Sequence, residues 1–207
     1  MPRLSRQSKE TEERRAAVEL RILDATEALL TEGNSYADLS IERIASEAEI
    51  SRTAFYDYFR DKRELLIRLL ERITEPLRGQ ADQLIASRSG PESLAEILAY
   101  FMDFSREHHA LFRATVEAST YDEVVYRFSG ELLESFAEPL RVRIEAEQKA
   151  GQALPAPAQA TAFTLIWMTW HICYERLAGS GEVSEEELLE ALTLIWQRSI
   201  YGTASPA

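Results

Sequence analysis

The chain has 207 residues, of which 45% are hydrophobic and 28% charged, a composition typical of a globular protein and not of a disordered one. Its single cysteine excludes an intramolecular disulfide and a cysteine-based zinc site. The formal net charge of −12 disfavours strong non-specific binding to nucleic acid. Residues 1–75, however, carry 13 basic and 16 acidic side chains, whereas residues 76–207 carry 10 and 19. Most of the excess acid therefore lies in the C-terminal two thirds.

The first predicted helix runs from about residue 11 to residue 32. Its apolar residues recur at helical spacing, which places them on one face: Val18, Ile22, Ala25 and Leu29. The pair Gly33–Asn34 then supplies residues that tolerate the positive φ with which helices commonly end.

Two short helices joined by a tight turn follow. Ser40 and Ser51 stand where each helix would begin, and each can cap its helix with the side-chain oxygen. Phe55 and Phe59 are four residues apart and predict the buried face of the second helix. Residues 40–59 therefore predict a helix-turn-helix.

A fourth helix is predicted to begin at Asp61, and Pro76 with Gly79 predicts a kink or its end. Beyond it, apolar periodicity predicts five more helices and no strand. These segments are 91–106, 108–118, 121–150, 157–178 and 184–200. We therefore predict an all-α fold of about nine helices.

The exposed side of the second short helix carries side chains suited to reading DNA. In a helix-turn-helix, the first residues of this helix meet base edges in the major groove. Arg52 can contact guanine with two hydrogen bonds, and the methyl group of Thr53 can contact the methyl group of thymine. The residues on this exposed face are Arg52, Thr53, Tyr56 and Asp57.

Four stretches in register resemble the TetR family of bacterial transcriptional repressors: Leu39–Ala45, Ala48–Ser51, Phe55–Phe59 and Lys62–Leu66. The resemblance implies a cytoplasmic repressor that binds a palindromic double-stranded operator as a homodimer. Residues 1–60 would form the N-terminal arm and DNA-binding domain, and residues 61–207 the ligand-binding and dimerisation domain. The resemblance and the positions of the helix caps together predict contacts with DNA from the following residues: Ser40, Ser51, Arg52, Thr53, Ala54, Tyr56, Tyr58 and Lys62.

The turn departs from the family pattern at one residue. The family usually has glycine where this chain has Glu49. If the position requires a positive φ, a non-glycine residue costs about 1 kcal/mol. Glu49 also brings a negative charge close to DNA.

The segment Phe163–Tyr174 is apolar on nearly every side, so it must be covered on more than one side. The family resemblance implies that residues 157–178 and 184–200 pair with the same helices of a second copy. Two copies also suit a palindrome, since its half-sites lie about 34 Å apart.

Aromatic residues are frequent in the middle of the chain and, as a group, fit an apolar cavity. The ending Leu194–Gly202 resembles the EthR-like subgroup, whose members have a long apolar tunnel. The resemblance implies a small hydrophobic ligand and no cofactor. The predicted ligand contacts are Phe104, Phe112, Tyr126, Phe136, Thr169 and Trp196.

Other function classes find less support. No phosphate-binding loop, nucleophile elbow or zinc-protease motif occurs, so we expect no enzyme. His108 and His109 are adjacent and point apart on a helix, which makes a metal site improbable. No secretory signal is visible, and the apolar stretch 158–174 is too short and polar for a membrane span. A helical protein-interaction adaptor without DNA activity stays open as the alternative.

Overall fold

The computed structural model describes residues 3–87, 90–178 and 183–202. Within these ranges the chain forms nine α-helices and no strand, which confirms the all-α prediction. The helices are α1 (Arg3–Thr31), α2 (Ile41–Glu47), α3 (Arg52–Phe55), α4 (Lys62–Ser87), α5 (Ser93–Glu107), α6 (His109–Ser119), α7 (Glu123–Lys149), α8 (Ala158–Ala178) and α9 (Glu185–Tyr201).

Two helices are longer than the sequence predicted. α1 begins at Arg3 and not near residue 11. α4 continues through Pro76 and Gly79, so the predicted end of the helix at that point is wrong. The proline removes one backbone hydrogen bond, but Ile73 and Leu77 beside it are buried. Tertiary packing therefore holds the helix together across the proline.

We call α1 to α3 and the loops between them the head. Both predicted caps are present: Ser40 Oγ accepts from the backbone N–H of Arg43 at 3.2 Å, and Ser51 Oγ from that of Ala54 at 3.0 Å. α3 has only four residues, so Phe59 lies beyond its end, yet Phe55 and Phe59 are 0% and 1% exposed. Leucines of the first turns of α4 belong to the same buried cluster, so the head is packed onto α4.

We call α5 to α9, with the second half of α4, the body. It has a second buried cluster, built from α5, α7, α8 and α9. A buried polar network closes one end of it. Arg143 of α7 donates to Glu147 Oε1 at 3.1 Å, to the carbonyl oxygen of Gly90 at 2.7 Å and to the hydroxyl of Tyr201 at 2.9 Å. The start of α5 and the end of α9 are thereby tied to α7.

Candidate DNA interface and ligand cavities

The turn of the helix-turn-helix adopts the conformation that glycine usually provides. Glu49 has a φ of 56°, and it is the only non-glycine residue with a positive φ in the described part of the chain. Its carboxylate is exposed and lies 4.0 Å from Arg21. The family turn is therefore formed without glycine, and the strain of about 1–2 kcal/mol for a residue with a Cβ is retained.

The face of α3 opposite Phe55 is open to solvent, as predicted. Arg52, Thr53 and Tyr56 are exposed, whereas Ala54 is half-buried. Arg52 Nε lies 2.9 Å from Glu42 Oε1, and its guanidinium group lies 5.9 Å from the Tyr56 ring. Because exposed ion pairs contribute about 0–1 kcal/mol, Arg52 can leave Glu42 at little cost.

Hydroxyl groups surround this face. The oxygens of Ser40 and Ser51 accept backbone hydrogen bonds, which leaves each hydroxyl hydrogen as a donor. Tyr58 is half-buried, and the guanidinium group of Arg15 lies 5.4 Å from its ring. Arg15 also donates to the carbonyl oxygen of Asp57 at 2.9 Å. Sequence reasoning did not single out Arg15, because helical spacing does not show that α1 meets the end of α3.

Lys62 has a role that the sequence did not indicate. Its ammonium group donates to the carbonyl oxygens of Tyr36, Ala37 and Leu39 at 2.8, 3.1 and 2.8 Å. Burial lowers the pKa of this ammonium group. All three N–H groups of Lys62 are used to hold the loop between α1 and α2, so none is left for phosphate in the free chain. Its predicted contact with DNA stays a prediction.

A first cavity lies between α4, α5, α7, α8 and α9 and encloses about 690 Å³ of space between atoms, part of it open to solvent. Three predicted ligand residues, Phe136, Thr169 and Trp196, are in its wall. Trp196 Nε1 donates to Thr169 Oγ1 at 2.9 Å. The indole N–H is thereby satisfied, and the Thr169 hydroxyl hydrogen is left as a donor in a wall that is otherwise almost entirely apolar.

A second cavity of about 790 Å³, also partly open, adjoins the first. Phe136 lines both cavities, and Phe112 and Tyr126 line the second, as predicted. Tyr126 is 62% exposed, which places it at a mouth of this cavity. The sequence did not single out Trp167 and Trp170, which also line the second cavity. All three tryptophans of the chain therefore lie in cavity walls.

Phe104 is the remaining predicted ligand contact, and its role in ligand binding stays a prediction. It lines neither cavity, and its ring packs on His108 and Phe112 with centroid separations of 4.6 and 5.9 Å. Its neighbour one turn back, Phe101, faces both cavities instead. Periodicity shows that both phenylalanines are buried in α5, but it does not show which of them borders a void.

α6 contacts both the second cavity and the head. Residues of one face line the cavity: Phe112, Thr115, Val116 and Ser119. On another face, the Glu117 carboxylate accepts from Ser35 Oγ at 2.7 Å and from the backbone N–H groups of Tyr36 and Ala37 at 3.1 and 2.9 Å. Burial alone would raise the pKa of the Glu117 carboxyl, but the hydrogen bonds it accepts lower it overall. The charged form of Glu117 thus holds the loop that leads into the helix-turn-helix.

The outer faces of α8 and α9 expose large apolar side chains. Phe163, Leu194 and Ile195 are 41%, 41% and 42% exposed.

No helix in the described ranges is long and apolar enough to cross a membrane. Those ranges also contain no group of three or more His, Cys, Asp or Glu side chains placed to hold a metal ion.

Two family models match the chain one after the other. Residues 22–69 match the model of bacterial regulatory proteins of the tetR family, and residues 94–202 match the C-terminal domain of the transcriptional regulator EthR. The chain belongs to the TetR family of transcriptional regulators. Its C-terminal domain is of the EthR type, as the resemblance indicated, and proteins of this family are regulators and not enzymes.

Curated relatives support the same assignment along most of the chain. The HTH-type transcriptional regulator EthR of Mycobacterium tuberculosis strain H37Rv is 32% identical over 195 residues, which cover 89% of this chain and 87% of the relative. The regulator of the same name from Mycolicibacterium smegmatis is 30% identical over 186 residues, covering 86% and 84%.

Solved structures share the fold. A TetR-family regulator from Mesorhizobium loti superposes with a TM-score of 0.73 at 18% identity, covering 91% of this chain and 98% of that one. FadR from Bacillus subtilis, solved with stearoyl-CoA, gives 0.73 at 15% identity and covers 89% and 99%. At these identities the comparison concerns the fold alone, and it confirms the predicted architecture.

Proposed function

We propose that this TetR-family regulator is a dimeric repressor that binds a palindromic operator in the cytoplasm and is released by a small, largely apolar effector. The observation that carries the proposal is the position of α6. It lines the second cavity with one face and holds the loop before the helix-turn-helix with another. A molecule in the cavity therefore has a short physical route to the DNA-reading head.

The exposed face of α3 supports the DNA-binding part. Arg52 and Thr53 at the start of α3 are exposed and can approach base edges, and we propose that the exposed residues Ser40, Ser51 and Tyr56 contact phosphate oxygens through their hydroxyls. Arg15 adds a guanidinium group at the same surface. We propose Arg52 as the main base contact, since arginine pairs with guanine through two hydrogen bonds.

The apolar outer faces of α8 and α9 support a homodimer. Three large aliphatic or aromatic side chains exposed by about two fifths on adjacent helices form a surface that a second copy can cover. Pairing through α8 and α9 places two heads on one duplex, as a palindrome with half-sites about 34 Å apart requires.

Release requires that the effector bind one arrangement of the heads better than the other. A tenfold loss of DNA affinity needs only about 1.4 kcal/mol of coupling. A displacement of α6 that weakens the three hydrogen bonds to Glu117 would supply this coupling free energy. Hydrogen bonds to a charged group contribute about 1.5–3 kcal/mol each. The stearoyl-CoA complex of FadR supports a ligand-responsive role, because that protein has the same fold.

A gel shift on the DNA immediately upstream of the protein's own gene tests the proposal. We expect a salt-sensitive shift that depends on an intact palindrome and on the dimer. Arg52→Ala should weaken binding by about 1–3 kcal/mol, a factor of about 5–150. Arg127→Ala is the matched control, since Arg127 is equally exposed but lies on α7. No shift with the wild type would favour the adaptor without DNA activity, and equal affinities for the wild type and Arg52→Ala would rule out Arg52 as the main base contact.

A further inference from the structure

A groove on the surface between α4 and α7 adjoins the second of the two cavities. The cavities share four wall residues: Leu77, Phe101, Leu133 and Phe136. The second cavity and the groove share Thr74 and Leu132. The three spaces therefore lie in series, with the Thr169–Trp196 pair in the wall of the innermost space and the groove at the surface.

Polarity rises along this series. The inner cavity is largely apolar, and in its Thr169–Trp196 pair the threonine accepts from the indole and keeps its hydroxyl hydrogen as a donor. The second cavity carries five hydroxyls and a buried indole N–H, that of Trp167, which has no hydrogen-bond partner among the described residues. The Tyr126 hydroxyl lies at the exposed mouth, and each of the other four donates its hydrogen to a carbonyl oxygen of its own helix: Thr74, Thr115, Ser119 and Ser129. The four serine and threonine hydroxyls therefore offer only lone pairs, which suit a donor or a positive charge, whereas the Trp167 N–H and the Tyr126 hydroxyl can donate.

The groove itself is charged, with an excess of acid. Its wall contains the carboxylates of Glu71, Glu75 and Glu131 and the guanidinium group of Arg78. Arg78 lies over the outer side of the Phe136 ring, 5.8 Å from its centroid. Glu71 has a second cation, Arg68, at 3.7 Å, but Arg68 is held at 2.8 Å by Glu19. The four side chains in the groove wall carry a net charge of −2, and the half-buried ring of Phe128 lies among them.

We propose that the groove selects amphipathic effectors with a cationic head, whose apolar part occupies the two cavities. Glu75 and Glu131 attract the positive head, and an aromatic ring in the same wall adds a cation–π contact. A carboxylate or phosphate head meets the same carboxylates and is repelled. The inference rests on the proposed ligand-responsive function and adds the charge class of the effector.

Three probes with the same ten-carbon chain test the head group: decyltrimethylammonium, decanol and decanoate, each below its micelle concentration. Binding is followed by intrinsic tryptophan fluorescence, which reports on the cavities because all three tryptophans line them. At low salt we expect decyltrimethylammonium to bind at least tenfold more tightly than decanoate, with decanol between them. The ratio should fall as salt is added, because the charges are exposed.

The double variant Glu75→Gln/Glu131→Gln tests whether the groove carboxylates cause the preference for the cationic probe. We expect this variant to reduce the ratio of the decanoate Kd to the decyltrimethylammonium Kd at least fivefold. Its affinity for decanol should stay unchanged. The control Glu12→Gln/Glu13→Gln makes the same change in total charge on α1 and should keep the wild-type ratio. Circular dichroism of each variant with each probe checks that the fold is retained.

The outcomes separate the two levels of the proposal. Equal binding of the charged probes, tighter binding of decanoate, or a ratio unchanged in the double variant would overturn the selection of cationic heads and leave the cavities as the effector site. No fluorescence change with any of the three probes would remove the cavities as a site for apolar effectors and, with it, the role of the groove.

Discussion

The head and the body use apolar residues for opposite purposes. In the head, residues such as Ile22, Leu29 and Phe55 are fully buried, and two serine caps fix where the short helices begin. In the body, aromatic side chains such as Phe101 and Phe136 border open space instead of filling it. A reading head must hold its side chains in register with DNA, whereas a sensor must keep room for a ligand.

The same truncation in the two regions gives the largest expected difference. Phe55→Ala removes a ring from a filled core and should lower the free energy of unfolding by about 3–5 kcal/mol. Phe136→Ala enlarges an existing cavity and should cost less than half as much. Urea unfolding of both variants measures this, and equal losses would contradict the contrast between a filled head and an open body.

One end of the body is as tightly constrained as the head. Glu147→Ala leaves the buried guanidinium group of Arg143 without its carboxylate and should cost about 3–5 kcal/mol. Glu138→Ala breaks the exposed pair with Arg141 and should cost less than about 1 kcal/mol. If urea unfolding gave similar losses for the two variants, the Arg143 network would not be what closes this end of the body.

Lys62 lies where the head joins α4, and its substitution distinguishes a loop contact from a DNA contact. Lys62→Met should destabilise the chain by about 1.5–3 kcal/mol, because three carbonyl oxygens lose a charged donor. The slope of log Kd against log salt for DNA should stay as in the wild type. A slope smaller by about 1 would show that Lys62 contacts a phosphate in the complex.

The smallest expected effect concerns the strained turn. Glu49→Gly should raise the free energy of unfolding by about 1 kcal/mol, since glycine adopts a φ of 56° without strain. Its control, Glu47→Gly, lies in α2 and should lower stability by about 1 kcal/mol. Differential scanning calorimetry should therefore show a higher melting temperature for Glu49→Gly and a lower one for Glu47→Gly than for the wild type. A loss of stability in Glu49→Gly would mean that the contact with Arg21 outweighs the strain.

The sequence was sufficient wherever the structure depends on local signals. Ser40 and Ser51 cap the helices they were expected to cap, and α5 to α9 begin and end within about two residues of the predicted bounds. Position 49 also has the positive φ that the family pattern implied. These features depend on residues close together in the chain, so a single sequence contains the information.

The remaining features depend on contacts between distant segments. Phe101 and Phe104 are both apolar positions of α5, and only the packing of α4, α7 and α8 decides that Phe101 borders the cavities. Lys62 meets carbonyl oxygens more than twenty residues away, and Glu117 meets the loop from Ser35 to Ala37 about eighty residues away. Composition and periodicity contain no signal for such pairs.

Selection of random duplex DNA by the purified wild-type dimer tests most directly whether the head reads an operator. We expect enrichment of a sequence with twofold symmetry, whose half-sites lie about one helical turn or a multiple of it apart. The enrichment should disappear in Arg52→Ala. A selection that returned no sequence above the input pool, or only sequences without symmetry, would contradict a dimeric DNA-reading function.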